Sequence, residues 1–337
     1  MRKVLYGLLI MLTACLSSCV EEEQYADNPH GNFEALWKLI DEHYCFFEYK
    51  NEVYGLDWDR VHDKYARMIE QDMTERQLFE VLGNMLGELR DGHVNMWSPF
   101  DMARYWSWRE DYPQNFSDSI QRRYLGTDYH ITGGAKYRVL DDNVGYVYWG
   151  SFDFPIGNGS LDEIINELMT CNSIIIDVRN NGGGMMTTAE KIAARFTDNT
   201  ITVGYMQHKT GKGHNDFSDM RRQELKPSSS LRWHKPVAIL INRSVYSAAN
   251  EFVKYMKCCP NVITVGDKTG GGAGMPFTGE IPNGWNVRFS ACPMFDKDGN
   301  SVEFGIAPDY KVDITSEDYM GSRDTILEFA RKKLAEL

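Results

Sequence analysis

Two stretches of the chain have a continuous apolar centre, SIIIDVR at 173–179 and PVAILIN at 236–242. Runs of that length with no polar alternation predict strands buried on both faces. Segments with helical spacing lie between and after them: SLDEIINELM at 160–169, TTAEKIAARF at 187–196 and SAANEFVKYMKCC at 247–259. TITVGYM at 200–206, NVITVGD at 261–267 and GWNVRFSAC at 284–292 read as further strands, and RDTILEFARKKLAEL at 323–337 as a long terminal helix. KYRVL and NVGYVYWG, 136–150, read as an antiparallel pair around a short polar turn. Repeated β-α-β units from residue 136 onward predict an α/β domain with a mostly parallel sheet.

The first third follows a different period. Apolar residues at three- and four-residue spacing predict helices over 32–48, 57–71 and 74–90. Thr74 and Gln77 stand in capping-box positions for the last of these, as do Ser160 and Glu163 for the helix at 160–169. Residues 98–135 are polar and aromatic and carry no clear period. Residues 208–232 form a long polar insertion, read as a lid or a solvated loop. The expected organisation is a signal at 1–18, a tether at 19–31, an N-terminal helical subdomain at 32–97, a connecting segment at 98–135 and the core at 136–337.

Composition narrows the class. The 337 residues carry a formal charge of −12, which argues against nucleic acid as a partner because phosphate contacts need clustered Lys and Arg. The start, MRKVLYGLLIMLTACLSSC, has two basic residues, an apolar run too short to span a bilayer, and small residues before Cys19. Leu16-Ser17-Ser18-Cys19 resembles a bacterial lipobox, which implies lipidation of Cys19 and a membrane-anchored protein of the cell envelope, on its periplasmic or surface side. Of seven cysteines, Cys15 goes with the signal and Cys19 takes the lipid. The remaining five have no CxxC or zinc-finger spacing and predict neither a disulfide framework nor a metal site.

Four stretches offer chemistry. In INRSVYSAANEF a buried strand leads to Ser247 at the start of a helix, where free backbone N–H groups favour negative charge. Such a serine suits nucleophilic attack, and Ser244 or Ser247 could equally cap the helix. In DVRNNGGG, Gly182 to Gly184 present backbone amides without side chains, for a phosphate, an oxyanion or simply a tight turn. No GxGxxG or GxxxxGK[ST] occurs, so this is no nucleotide loop. GELRDGHVNMW places His93 at a helix-to-strand junction, a fitting position for a base, and VEFGIAPD offers Glu303 and Asp309 as acidic partners. No HExxH is present, so a metal hydrolase is not expected.

DVRNNGGG, SVYSAANEF, VGDKTGGGAG and VEFGIAPD, in that order, resemble the C-terminal processing (tail-specific) serine peptidases and the tricorn protease core, over roughly 33–315. The resemblance implies a crotonase/ClpP-like α/β core and a peptide or protein substrate, with no cofactor and no metal. It implies Ser247 as nucleophile, and Ala248 and Gly183 as oxyanion-hole amides. The serine–lysine branch of this family carries its lysine where this chain has Gly272, and Lys268 lies too early. The tricorn-like branch uses a histidine and a glutamate, and these fall on His93 as general base and Glu303 as the group that orients it. Residues 97–135 are too few for the peptide-binding PDZ module that many members carry. Two other classes remain: a non-catalytic ligand- or peptide-binding lipoprotein on this scaffold, and a carbohydrate or peptide binder using Trp106 and Trp108.

Overall fold

A computed structural model describes residues 24–337; the signal, Cys19 and the first part of the tether lie outside the described residues. The N-terminal helices are α1 (Pro29–His43), α2 (Phe47–Tyr54), α3 (Trp58–Ala66) and α4 (Glu75–Gly87). The single helix expected over 32–48 is broken at Tyr44, whose backbone is extended. The Cys45 N–H donates instead to the Ser290 carbonyl at 3.0 Å, so the chain leaves the helix to meet a strand of the core. The capping box at Thr74 and Gln77 forms with both reciprocal bonds.

The segment 98–135, without period in the sequence, contains short pieces tied to other parts of the chain. After β1 (Asn95–Trp97) come β2 (Met102–Arg104), α5 (Ser107–Glu110), α6 (Asp118–Leu125) and β3 (His130–Thr132). The core then follows the expected alternation: β4 (Ala135–Val139), β5 (Val144–Tyr148), α7 (Asn158–Leu168), β6 (Ser173–Asp177), α8 (Met186–Ala193), β7 (Ile201–Met206), β8 (Arg221–Leu225), β9 (Val237–Ile241), α9 (Ala248–Lys257) and β10 (Val262–Gly266). It closes with β11 (Gly274–Glu280), β12 (Asn286–Phe295), β13 (Tyr310–Lys311), α10 (Ser316–Met320) and α11 (Thr325–Leu334). Helix α7 begins two residues earlier than its sequence suggests, with Gly157 at the N-cap and no side-chain cap, so Ser160 sits inside the first turn. Part of the polar insertion 208–232 is strand: β8 pairs with β7.

Two sheets result. One has the order β13-β10-β9-β6-β5-β4-β3, parallel from β13 to β5 and antiparallel beyond. Its central strands β6 and β9 are buried at every residue, which accounts for their unbroken apolar sequence. The other runs β2-β1-β12-β7-β8, with β11 also paired to β12. The N-terminal helices bury Leu36, Ile40, Leu82 and Met85 in one cluster with Trp285, Val287 and Phe289 from this second sheet. The N-terminal helices are thereby fastened to β12 of the core, and the loops before β1 and after β9 converge.

Candidate active site

Strand β9 ends at Ile241, and the chain turns through Asn242–Tyr246 into α9. Ser247 stands at the turn with φ +56° and ψ −125°, a conformation L-residues rarely adopt. The Ala249 N–H donates to the Tyr246 carbonyl at 3.0 Å and closes a tight turn with Ser247 as its first central residue. The Ser247 N–H donates to the Gly271 carbonyl at 2.9 Å, fixing the strained residue from the neighbouring loop. Its side chain makes no capping bond. Instead Ser247 Oγ lies 3.0 Å from His93 Nε2, across 154 positions of sequence. The capping alternative is thereby set aside.

His93 is buried, at 4% exposure, and is held from several sides. The Asp91 carboxylate accepts from the His93 N–H at 2.7 Å, and the Tyr246 ring meets the imidazole edge-on at 4.9 Å. Burial brings the imidazole pKa down to about 4, with the charges of Arg288 and Lys50 adding to the fall and Asp91 opposing it. The ring is therefore neutral at physiological pH and able to accept a proton. Its Nδ1 makes no hydrogen bond of full geometry among the described residues, and the Gly274 backbone near the ring favours the protonated form.

Glu303, which the family resemblance implied as the group that orients His93, makes no direct hydrogen bond to it. Its Oε1 accepts from Lys50 Nζ at 3.2 Å and its Oε2 from the Ala273 N–H at 2.9 Å, and among the described residues neither oxygen is hydrogen-bonded to the histidine ring. The Glu303 carbonyl also accepts from the Gly272 N–H at 3.0 Å, which makes this residue the anchor of the glycine loop that supports Ser247. The carboxylate nearer the base is Asp91, two residues before it, whose Oδ2 accepts from the Tyr44 hydroxyl at 3.0 Å and the Ser290 hydroxyl at 2.8 Å. Lys50 is fully buried and donates to the Leu89 and Arg90 carbonyls as well as to Glu303, and it lies 4.0 Å from Asp91. Burial and the neighbouring Asp91 push the Glu303 carboxyl up; for Asp91, Lys50, His93 and the bonds it accepts overcome burial and hold it down. Sequence reading missed Lys50 and Tyr44. Their only signal was a lysine in an otherwise aromatic run, YCFFEYK at 44–50.

The two expected oxyanion donors differ. Ala248 opens α9, and among the described residues its N–H has no acceptor. Gly183 is close by: a Cβ there would approach Ser247 Cβ to 2.8 Å and Ala248 N to 2.9 Å, and its φ is +105°. Yet the Gly183 N–H donates to Asn181 Oδ1 at 2.9 Å, so this amide is engaged and only Ala248 is free.

The lysine alternative fails sterically. Gly272 has φ +75°, and any Cβ at that position would run into the Tyr246 ring. Lys268 is half-buried and its pKa is lowered by burial and by Arg243; among the described residues it makes no hydrogen bond to Ser247 or His93. Asp309 is likewise structural, accepting from Thr264 and Lys257. Trp108 stacks on Tyr246 at 4.1 Å and 23°, against Gly92 and Gly270, where no side chain larger than hydrogen fits. Trp106 lies between the guanidinium groups of Arg104 and Arg109, at 4.6 and 4.4 Å.

A hydroxyl on a strained strand-to-helix turn, a neutral imidazole in bonding reach and an unengaged amide beside them define a serine hydrolase site. Similarity to known proteins narrows that class. The model of peptidase family S41 matches residues 143–312, and that of the tricorn protease C1 domain matches 25–87. The chain belongs to peptidase family S41. It is 31% identical over 140 residues to a candidate CtpA-like serine protease of Staphylococcus epidermidis, covering 41% of this chain and 27% of that one. It is 24% identical over 178 residues to the carboxy-terminal processing protease CtpA of Bacillus subtilis, covering 52% and 36%. The chain thus spans about a quarter to a third of the length of these curated relatives. Among solved structures, a candidate peptidase from Parabacteroides merdae superposes with a TM-score of 0.88 at 51% identity, over 92% of this chain and 97% of that one. Mature CPAF in complex with lactacystin shares the fold at a TM-score of 0.71 and 12% identity, over 91% and 97%.

Proposed function

We propose that this chain is a serine peptidase that hydrolyses peptide bonds of proteins or peptides in the cell envelope by acyl transfer to Ser247. The observation that carries the reading is the 3.0 Å contact between Ser247 Oγ and a buried, neutral His93, with the serine excused from helix capping. His93 Nε2 takes the hydroxyl proton as Oγ bonds to the scissile carbonyl carbon. The Ala248 N–H faces the oxyanion that forms, and a second donor from Gly183 requires Asn181 Oδ1 to release it. The protonated imidazole then passes its proton to the leaving amine, and water hydrolyses the acyl-enzyme by the same steps in reverse. Asp91 fixes the histidine backbone and supplies the negative charge that eases imidazolium formation. The base and the oxyanion donor are each worth on the order of 10²–10³ in rate.

The lipobox-like LSSC supports a lipid on Cys19 as the anchor to the envelope membrane. Intact-mass spectrometry after treatment with a fluorophosphonate tests the chemistry: one adduct on wild type, lost in Ser247→Ala and His93→Ala, is expected. A well-folded wild type that takes no adduct would favour a non-catalytic binding protein. For the anchor, Cys19→Ala should release the protein from membranes, and retention there would count against lipidation.

A further inference from the structure

The sheet that carries β1, β11 and β12 has one face against the N-terminal helices and one toward the catalytic pair. Val287 and Phe289 pack with the helices. Ser290 faces the other way, donating its hydroxyl to Asp91. Arg288 lies two residues before Ser290 with continuous register to β11, Arg288 opposite Thr278 and Ser290 opposite Pro276, so strand alternation puts it on the catalytic face. Across β1 it stands opposite Asn95, whose side chain bonds the Gly92 carbonyl next to His93. Trp97, two residues along β1, shares that face and is 37% exposed.

Arg288 is half-buried, and among the described residues no carboxylate or carbonyl accepts from it. A partly dehydrated guanidinium without an acceptor is costly, all the more so beside a histidine that must become positive during the reaction. Its planar fork of donors matches a carboxylate better than any other peptide group. We propose that Arg288 binds a carboxylate of the peptide substrate as the peptide lies across the β11–β12–β1 face beside Ser247. This rests on the peptidase reading above. The carboxylate is that of a chain end or of an Asp or Glu side chain; the chemistry is shared. A bound carboxylate also offsets one of the two cations that disfavour protonated His93, Arg288 and Lys50, and leaves Asp91 as the charge facing the ring, with the neutral Tyr246 ring and Ser247 hydroxyl beside it. Substrate binding thereby strengthens the base it is about to use.

The test compares wild type, Arg288→Gln and Arg288→Lys on short-peptide libraries with free or amidated C-termini, each with Asp and Glu either kept or replaced by Asn and Gln. Cleavage is read by mass spectrometry. Binding is read by fluorescence anisotropy on the same variants carrying Ser247→Ala. Carboxylate-bearing peptides should be bound and cleaved about 10- to 100-fold better by wild type. The amidated arm distinguishes chain end from side chain. Arg288→Gln should lose the preference, with the acid limb of kcat/KM moved upward for all peptides; Arg288→Lys should keep part of the preference. No preference in wild type, or a preference that survives Arg288→Gln, overturns the proposal. Absence of fluorophosphonate labelling and of all cleavage would instead overturn the peptidase reading, with anisotropy still deciding the role of Arg288.

Discussion

Lys50→Met removes the cation that sits between Glu303 and Asp91, at 3.2 and 4.0 Å. Lys50 comes from α2 and Glu303 from the loop before β13, so the substitution tests how the helices are fastened to the catalytic core. The lysine is fully buried and also donates to the Leu89 and Arg90 carbonyls. Without it two carboxyl groups share a dry site, and both are pushed up. A group whose folded pKa is raised contributes stability at low pH that is lost as pH rises through that pKa. The loss in the variant therefore grows toward alkali, by at most ~1.4 kcal/mol per pH unit for each proton retained on folding. Near about pH 5 the cost should be ~1–3 kcal/mol, mainly the Arg90 carbonyl left without a donor, since the Leu89 carbonyl still accepts from the Tyr54 hydroxyl. Near about pH 8 it should reach ~3–5 kcal/mol, that of a buried pair broken on one side. Urea unfolding of both proteins at the two pH values measures this. Equal losses at both, or a loss undiminished in a Glu303→Gln background, would refute the reasoning.

Three further outcomes follow from the site. The acid limb of kcat/KM should fall near pH 4, where the buried His93 titrates; a limb near the ordinary histidine value of about 6.5 would show that burial does not govern it. Ser247→Gly should be more stable than Ser247→Ala by roughly 1 kcal/mol, since glycine accepts φ +56° and ψ −125° without strain; equal denaturant midpoints would remove the strain argument. Gly272→Ala should cost ~1–3 kcal/mol and reduce fluorophosphonate labelling, because it displaces the Tyr246 ring next to Ser247. Gly284→Ala, with a similar φ of +83° but open space around it, should leave labelling intact.

Much of the core could be read from the chain directly. The apolar-centred runs at 173–179 and 236–242 contain the two central strands, because a strand covered on both faces shows no alternating polar side. Thr74 and Gln77 make the capping box their spacing predicts, because that motif needs only four neighbouring residues. Local rules failed where a distant partner intervened. The helix over 32–48 breaks because the Cys45 N–H is claimed by Ser290, 245 positions away. The segment 98–135 has no period because its short elements are held from outside: Trp108 by Tyr246 and Arg243, Gln114 by Asn242 and Asn115 by Asp313.

The same division holds for the site. The residue types and their order pointed to Ser247, His93 and the glycine turn. Bonding, however, is decided by which atoms meet. Glu303 has the right type and chain position, but its carboxylate reaches Lys50 and Ala273, while Asp91 lies against the base. Gly183 has the right conformation, but Asn181 takes its N–H. Sequence determines the strands, the turns and the kinds of group they can present, because those follow from neighbours along the chain. Whether Ser247 meets His93 and which group the Glu303 carboxylate reaches are settled by contacts across more than 100 residues; only packing brings those atoms within bonding distance.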